Sequence, residues 1–112
     1  MKKSSAVFVF GKEQSIAQAG EGVERKVLGY SENMMICEIK MKKGAVIPSH
    51  AHPHEQCSTI VSGKVIYTVG EEKKEVQNGD SVMILPNVPH DIVALEDTLV
   101  IDGFAPMRAD FI

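Results

Sequence analysis

The chain has 112 residues, of which 44% are hydrophobic and 24% are charged, a composition typical of a folded globular domain rather than a disordered chain. Its formal net charge of -3 argues against general nucleic-acid binding, which requires a basic surface. No apolar run approaches membrane-spanning length, and the apolar stretch at residues 6–10 is too short for the hydrophobic region of a signal peptide. We therefore expect a single domain over residues 1–112, located in the cytoplasm.

The predicted elements, in chain order, are short strands separated by turns. The apolar residues 6–10 form a candidate strand that could pair with the sheet edge of a second subunit, and residues 12–20 could form one helical turn at most. A tight hairpin is predicted at Ser62-Gly63, and a charged loop over residues 70–74 leads to a short strand. The remaining predicted strands span residues 23–30, 34–41, 56–61, 64–69, 81–85, 91–95 and 99–104, with turns at Lys43-Gly44 and Asn78-Gly79-Asp80.

The number and spacing of these strands indicate the fold class. Many short strands with almost no helix predict an all-β sandwich or barrel. Neighbouring strands are too close in sequence for parallel crossovers, so we expect antiparallel sheets. Cys37 and Cys57 are too few for a disulfide framework, and we expect both to be free, buried thiols.

Histidines carry the first signal of chemistry. Three of the 4 histidines, His50, His52 and His54, lie in one short segment, and His90 follows a proline-rich turn. Residues two apart on a strand point to the same face, so His50 and His52 are predicted to project together. Imidazole nitrogen is a good ligand for zinc, iron, copper, nickel or manganese, and His90 could supply a third ligand from a neighbouring strand. We therefore predict a metal site.

The residues alone leave the fourth ligand open. Glu55 is the natural carboxylate, whereas Gln56 offers a neutral and weaker amide oxygen. His54 continues the period of two, but Pro53 interrupts the strand before it, so His54 is expected beside the ligands or exposed.

At these residues the sequence resembles the cupin superfamily. The first cupin motif is Gly, five residues, His-x-His, three or four residues, Glu, six residues, Gly. Here Gly44, His50, His52 and Gly63 keep that spacing, and Gln56 stands at the position that most cupins fill with Glu. The resemblance implies a single-domain antiparallel β-barrel of the double-stranded β-helix, or jelly-roll, type.

The second cupin motif is Gly, five residues, Pro-x-Gly, two residues, His, three residues, Asn. Gly79 and His90 keep this spacing, while Leu85, Asn87 and Ala94 replace the Pro, Gly and Asn. Asn at the glycine position is acceptable because Asn tolerates a positive φ better than most residues. The barrel is expected over about residues 23–105, with the N-terminal strand and the C-terminal tail packing on it or on a partner subunit.

A finer resemblance, to the KdgF family of pectin-degradation proteins, covers most of the chain. The segments that carry it are residues 25–28, 50–56 and 102–111. Members of that family open the ring of 4,5-unsaturated uronates released from pectin or alginate, giving a linear keto-aldehyde sugar acid. The resemblance implies metal ligands at His50, His52, Gln56 and His90, and active-site roles for Asp102, Phe104 and Arg108.

Elementary chemistry suggests a role for each of Asp102, Phe104 and Arg108. Asp102 interrupts an apolar strand and could shuttle a proton, the alternative being a structural ion pair or a turn residue. Phe104 shares its face and could stack on a sugar ring or be an ordinary core aromatic. Arg108, after Pro106, could bind a carboxylate in two-pronged geometry or form a surface or interface salt bridge.

The leading hypothesis is a non-redox enzyme that uses one divalent metal ion, zinc, nickel, manganese or iron, to open and tautomerise a small sugar acid. Neutral His and Gln56 ligands leave the ion its full charge, which favours a Lewis-acid role. The alternatives are a cupin dioxygenase, which a carboxylate ligand would favour, and a non-catalytic sugar-binding module, which fold alone does not exclude. By analogy with small cupins we expect a homodimer.

Overall fold

The computed structural model describes residues 4–112 of the chain. Within that part the chain forms ten strands and two short 3-10 helices, with almost no other regular structure. The strands are β1 Ala17–Gly20, β2 Val23–Tyr30, β3 Met35–Met41, β4 Val46–His50, β5 Glu55–Ser62, β6 Lys64–Val69, β7 Glu72–Gln77, β8 Ser81–Ile84, β9 His90–Ala94 and β10 Thr98–Ala105. The 3-10 helices span Gly11–Glu13 and Ala109–Phe111.

The strands form two facing sheets, and every strand pair is antiparallel, which confirms the predicted fold class. The 6-stranded sheet has the order β1-β2-β3-β10-β5-β8, and the 4-stranded sheet has the order β4-β9-β6-β7. Alternation along β3 and β10 turns every second residue inward, so that Met35, Cys37, Val100 and Phe104 are buried. The core lies between the two sheets and continues into the cavity described below.

Two stretches near the N-terminus differ from the prediction. Residues 6–10 are not in a strand, and Val7, Phe8 and Phe10 expose 93%, 78% and 61% of their surfaces. Helical structure in residues 12–20 is limited to the end of the first 3-10 helix, after which β1 pairs with β2. Pairing of residues 6–10 with a second subunit stays a prediction. No helix in residues 4–112 is long and apolar enough to cross a membrane.

The predicted hairpin at Ser62-Gly63 is wrong, because this turn is a corner between the two sheets. β5 pairs with β10 and β8, whereas the next strand, β6, pairs with β7 and β9. Gly63 has a φ of 104°, a conformation that glycine adopts without strain, and this lets the chain change sheets within one residue. The hairpin follows instead at Gly70-Glu71, since β7 begins at Glu72, inside the predicted charged loop.

The two cysteines lie in different environments, which corrects the expectation that both are buried. Cys37 is buried and Cys57 is exposed. Burial raises the pKa of the Cys37 thiol to about 12, so that at pH 8 it is protonated as well as inaccessible.

We expect an alkylating reagent such as iodoacetamide at pH 8 to modify one thiol of the native protein, that of Cys57. Intact-mass spectrometry with peptide mapping measures the extent and the site of modification. A urea-denatured sample is the control and should gain two adducts. Modification of Cys37 in the native protein at a rate similar to that of Cys57 would contradict the burial described here.

Candidate metal centre and its cavity

Three histidines converge at one end of the space between the sheets. His50 ends β4 and His90 begins β9, and the two are directly opposite each other in the antiparallel pair. The ring centroids of His50 and His90 lie 4.2 Å apart, and those of His52 and His90 lie 4.9 Å apart. Ligand nitrogens of all three lie within 4.8 Å of one another, close enough to hold a single metal ion.

His52 reaches this cluster from a loop, not from a strand as the period-two pattern suggested. β4 ends at His50, and residues 51–54 are irregular before β5 begins. The loop is fastened to the turn before His90, where the Asn87 backbone N–H donates to the His52 carbonyl at 2.8 Å. Asn87 has a φ of 67°, which confirms that asparagine serves at the glycine position of the second motif. The two motifs therefore position each other's histidines.

Hydrogen bonds to backbone carbonyls orient all three rings. The Nδ1 atoms of His50, His52 and His90 lie 2.9, 3.0 and 2.8 Å from carbonyl oxygens of the residues two positions away. A carbonyl can only accept, so each Nδ1 carries the proton and each Nε2 keeps its lone pair. This arrangement is usual for metal-binding histidines. Burial also lowers the pKa of His52 and His90, which favours their neutral forms.

Gln56 completes a set of four donors. Its amide Nε2 donates to the Ser58 hydroxyl, so its Oε1 is the atom that lies 2.9 Å from His52 Nε2. Both of these atoms are acceptors, and two lone pairs at this distance are unfavourable unless a cation lies between them. Two ligands of one ion with bonds of about 2.1 Å stand about 3.0 Å apart at an octahedral angle and about 3.4 Å apart at a tetrahedral angle. His90 Nε2 is buried and has no hydrogen-bond partner among the described residues. The four groups fit a divalent cation.

The other two candidates for the fourth ligand do not join the cluster. Glu55 is exposed on β5, and alternation turns it away from Gln56. The ring of His54 lies 5.5 Å from that of His52, and His54 contributes its backbone carbonyl to His52 Nδ1. Of the three candidates, Gln56 is therefore the one whose side chain contacts the histidine cluster.

Asp102 lies beside the donors as a buried carboxylate. β10 pairs with β5 so that Asp102 is opposite Ser58 and Phe104 is opposite Gln56. The Ser58 hydroxyl donates a short hydrogen bond to Asp102 Oδ1, and the Tyr67 hydroxyl, 2.9 Å away, therefore donates to Ser58. Burial raises the pKa of Asp102 to about 6, while the hydrogen bond from Ser58 acts in the opposite direction. No ion pair of Asp102 is found within residues 4–112.

Sequence reasoning missed Ser58 and Tyr67. Ser58 could have been found, since it lies two residues beyond Gln56 on the same strand and so shares its face. Tyr67 has no such signal, because β6 belongs to the other sheet. Burial raises the pKa of Tyr67, which keeps this phenol protonated and able to donate.

An aromatic and cationic wall closes the side of the cavity next to Asp102. Phe104 is buried, with its ring edge-on to His52 and to Phe111 at 5.9 and 5.7 Å. The guanidinium of Arg108 lies 4.2 Å from the Phe111 ring centroid and donates to both carboxylate oxygens of Asp110, at 3.0 and 2.8 Å. Arg108 therefore makes a salt bridge within the chain, which is the alternative to its binding a substrate carboxylate.

These groups enclose a cavity of about 180 Å³. That is smaller than the roughly 300–1,000 Å³ of sites for drug-sized ligands and suits a smaller molecule. Its polar and charged lining residues are Arg25, His50, Gln56, Tyr67, His90, Asp91, Asp102 and Arg108.

The sequence is similar to known proteins over most of its length. A family model described as Cupin domain matches residues 37–101. The pectin degradation protein KdgF of Dickeya dadantii (strain 3937) is 33% identical over 97 residues, which are 85% of this chain and 88% of that protein.

Comparison with solved structures also shows similarity to cupins over nearly the whole chain. An RmlC-like cupin from Shewanella frigidimarina NCIMB 400 has a TM-score of 0.95 and 35% identity, covering 99% of this chain and 100% of that one. KdgF from Halomonas sp. has a TM-score of 0.90 and 31% identity, covering 96% and 100% of the two chains. The similarity therefore extends beyond the barrel to both ends of the chain.

Proposed function

Because this chain belongs to the KdgF family of cupin domains, we propose that it is a metal-dependent enzyme that opens and ketonises 4,5-unsaturated uronate monosaccharides from pectin or alginate breakdown. The observation that carries the proposal is the facing pair of acceptors, His52 Nε2 and Gln56 Oε1, beside the buried carboxylate of Asp102. Together they offer a cation site with neutral ligands and a group that can carry a proton.

His50, His52, Gln56 and His90 would hold one divalent ion, which could be zinc, nickel, manganese or iron. When bound, it would supply Lewis-acid stabilisation of negative charge on a substrate oxygen. All four ligands are neutral, so none of the charge of the ion is cancelled by its ligands. This suits a reaction in which charge develops on oxygen and no electron is transferred.

The reaction itself is a pair of proton movements. The hydroxyl of the hemiacetal loses its proton as the bond between C1 and the ring oxygen breaks, which leaves an aldehyde at C1 and an enol at C5. The ring oxygen takes up a proton to form that enol, which then gains a proton at C4, loses the proton on its oxygen and becomes a ketone. Atoms and electrons balance, so the step is an isomerisation that needs no oxidant or reductant.

Asp102 is the residue that we place in these proton movements. It lines the cavity, it makes no ion pair within residues 4–112, and it is joined to Ser58 and Tyr67 in a chain of donors. Ser58 holds this carboxylate in position through Oδ1. Phe104 and Arg108 line the same cavity and would contact the sugar ring.

We expect the protein to act in the cytoplasm as a homodimer. Exposed apolar side chains at Val7, Phe8 and Phe10 support a subunit contact through residues 6–10, since such groups gain free energy when another surface covers them. Size-exclusion chromatography with light scattering measures the state directly.

A single assay tests the proposed activity. Protein stripped with chelator and reloaded with zinc, nickel, manganese or iron in turn is mixed with unsaturated monouronate in D2O, and proton NMR and the ultraviolet enol-ether band are followed. We expect accelerated loss of the band, deuterium at C4, and no acceleration in chelator. Decay equal to that of a protein-free sample for every metal would overturn the proposal. Oxygen uptake would favour a dioxygenase, and binding without loss of the band would favour a sugar-binding module.

A further inference from the structure

A second guanidinium, that of Arg25, lines the cavity. Arg25 lies on β2, where it alternates with Val23 and Val27, residues that pack in or against the core. In the sheet it is opposite Ile39, whose side chain is buried. Arg25 therefore points into the barrel, where it lines the same cavity as His50, Gln56 and Asp102. Its inward position is unusual for an arginine, which is mostly found exposed unless it is paired.

Arg25 and Arg108 differ in how their charges are balanced. Arg108 is engaged by Asp110 through two hydrogen bonds. Within residues 4–112, Arg25 has neither a hydrogen bond nor an ion pair through its guanidinium. Its contact is with Phe111, whose ring centroid lies 3.7 Å from the guanidinium carbon. The uncompensated positive charge of the cavity wall is therefore that of Arg25.

We propose that Arg25, held by stacking on Phe111, is the residue that binds the carboxylate of the substrate. The inference deepens the proposed function and rests on it, because a uronate is the ligand class that brings a carboxylate to this wall. A guanidinium matches a carboxylate with two parallel hydrogen bonds, and stacking on an aromatic ring leaves its N–H edge free to make them. A half-buried cation without a counter-ion is costly, and an anionic ligand would remove that cost.

The overall charge of the chain strengthens the argument. At -3 the chain does not attract an anion at long range, so a positive side chain on the cavity wall would add to the charge of the metal ion in drawing a sugar acid into the cavity. Asp102 adds a negative charge to the site itself and would repel a carboxylate placed next to it. A carboxylate on Arg25 would leave Asp102 to face the reacting carbons.

The test compares Arg25→Gln with wild type by two measurements. The KM for unsaturated monouronate should rise about 10- to 100-fold while kcat changes less, which is the range expected for loss of a charge-assisted hydrogen bond. The affinity for the saturated sugar acid galacturonate, which cannot react, should fall by a similar factor when it is measured by calorimetric titration. Lys40→Gln is the matched control, because it removes a positive charge from an exposed position on β3 and should change neither value.

Galactose, the neutral sugar, separates a binding role from a structural one. If Arg25 were merely structural, its replacement would lower the affinity for both sugars. We expect instead that only the preference for galacturonate over galactose falls. Arg25→Lys keeps the charge and loses the planar fork, so it should recover part of the affinity, and thermal melts verify that both variants fold.

Unchanged galacturonate affinity and KM in folded Arg25→Gln protein would overturn the role of Arg25 and leave the proposed function intact. Failure of wild-type protein to convert unsaturated uronate would instead contradict the proposed function. The titration with galacturonate reports on Arg25 independently of turnover.

Discussion

Replacing His90 with alanine is expected to abolish stoichiometric metal binding and to reduce turnover of unsaturated uronate to the chelator-treated level. His90 Nε2 is buried and has no protein partner within residues 4–112, so its lone pair is available to an ion. Loss of one of four ligands should weaken metal affinity by more than about 100-fold, the upper limit reported for residues that only orient ligands. Elemental analysis after dialysis measures the stoichiometry.

Thermal unfolding gives a second measure of the same prediction. A metal at 100 times its Kd should stabilise the wild-type fold by about 2.7 kcal/mol, which raises Tm by about 10–20 °C for a domain of this size. His90→Ala should show no such shift. His54→Gln is the matched control, since its ring lies outside the donor set, and it should keep both the metal and the Tm shift. Full metal loading of His90→Ala would contradict the assignment.

Replacing Asp102 with asparagine should lower kcat/KM by about 10²- to 10⁴-fold, the usual contribution of a general acid or base. The amide has a similar shape but cannot accept and return a proton at neutral pH. Because Asp102 is outside the donor set, the variant should still bind one metal ion, and its deuterium incorporation at C4 should fall in parallel with turnover.

Glu38→Gln is the control for that change. Glu38 lies on β3 opposite Ile101 of β10, on the outward face of the same sheet, and the substitution is the same loss of a carboxylate. It should leave kcat/KM within about two-fold of wild type, as surface substitutions generally have small effects. An Asp102→Asn enzyme with wild-type turnover would show that another group moves the proton.

The sequence alone was sufficient for the architecture and for the identity of the metal-ligand candidates. Turn residues and alternation predicted most of the strands, because both depend on neighbours close in the chain. Motif spacing placed Gln56 rather than Glu55 in register with His50 and His52, and the amide oxygen of Gln56 faces His52. Family membership followed from those same positions.

Local pattern was not sufficient where the chain changes sheets. Ser62-Gly63 has the composition of a hairpin turn, yet the strands on its two sides pair with other partners. Hairpin and corner use the same residue types, since both need a glycine with positive φ, and only the competition among strands for partners distinguishes them. Residues 6–10 were predicted as a strand from their apolar character, which does not say whether a partner strand lies beside them.

The assembly of the site was decided by tertiary structure alone. Ser58 and Asp102 meet because β10 lies between β3 and β5, and Tyr67 joins them from the opposite sheet. Arg25 and Phe111 are near opposite ends of the sequence, and no periodicity relates them. They touch because the strand order brings β2 to the wall over which the C-terminal segment folds. Strand order depends on pairing between distant parts of the chain, and the motif spacing within one segment does not encode that pairing.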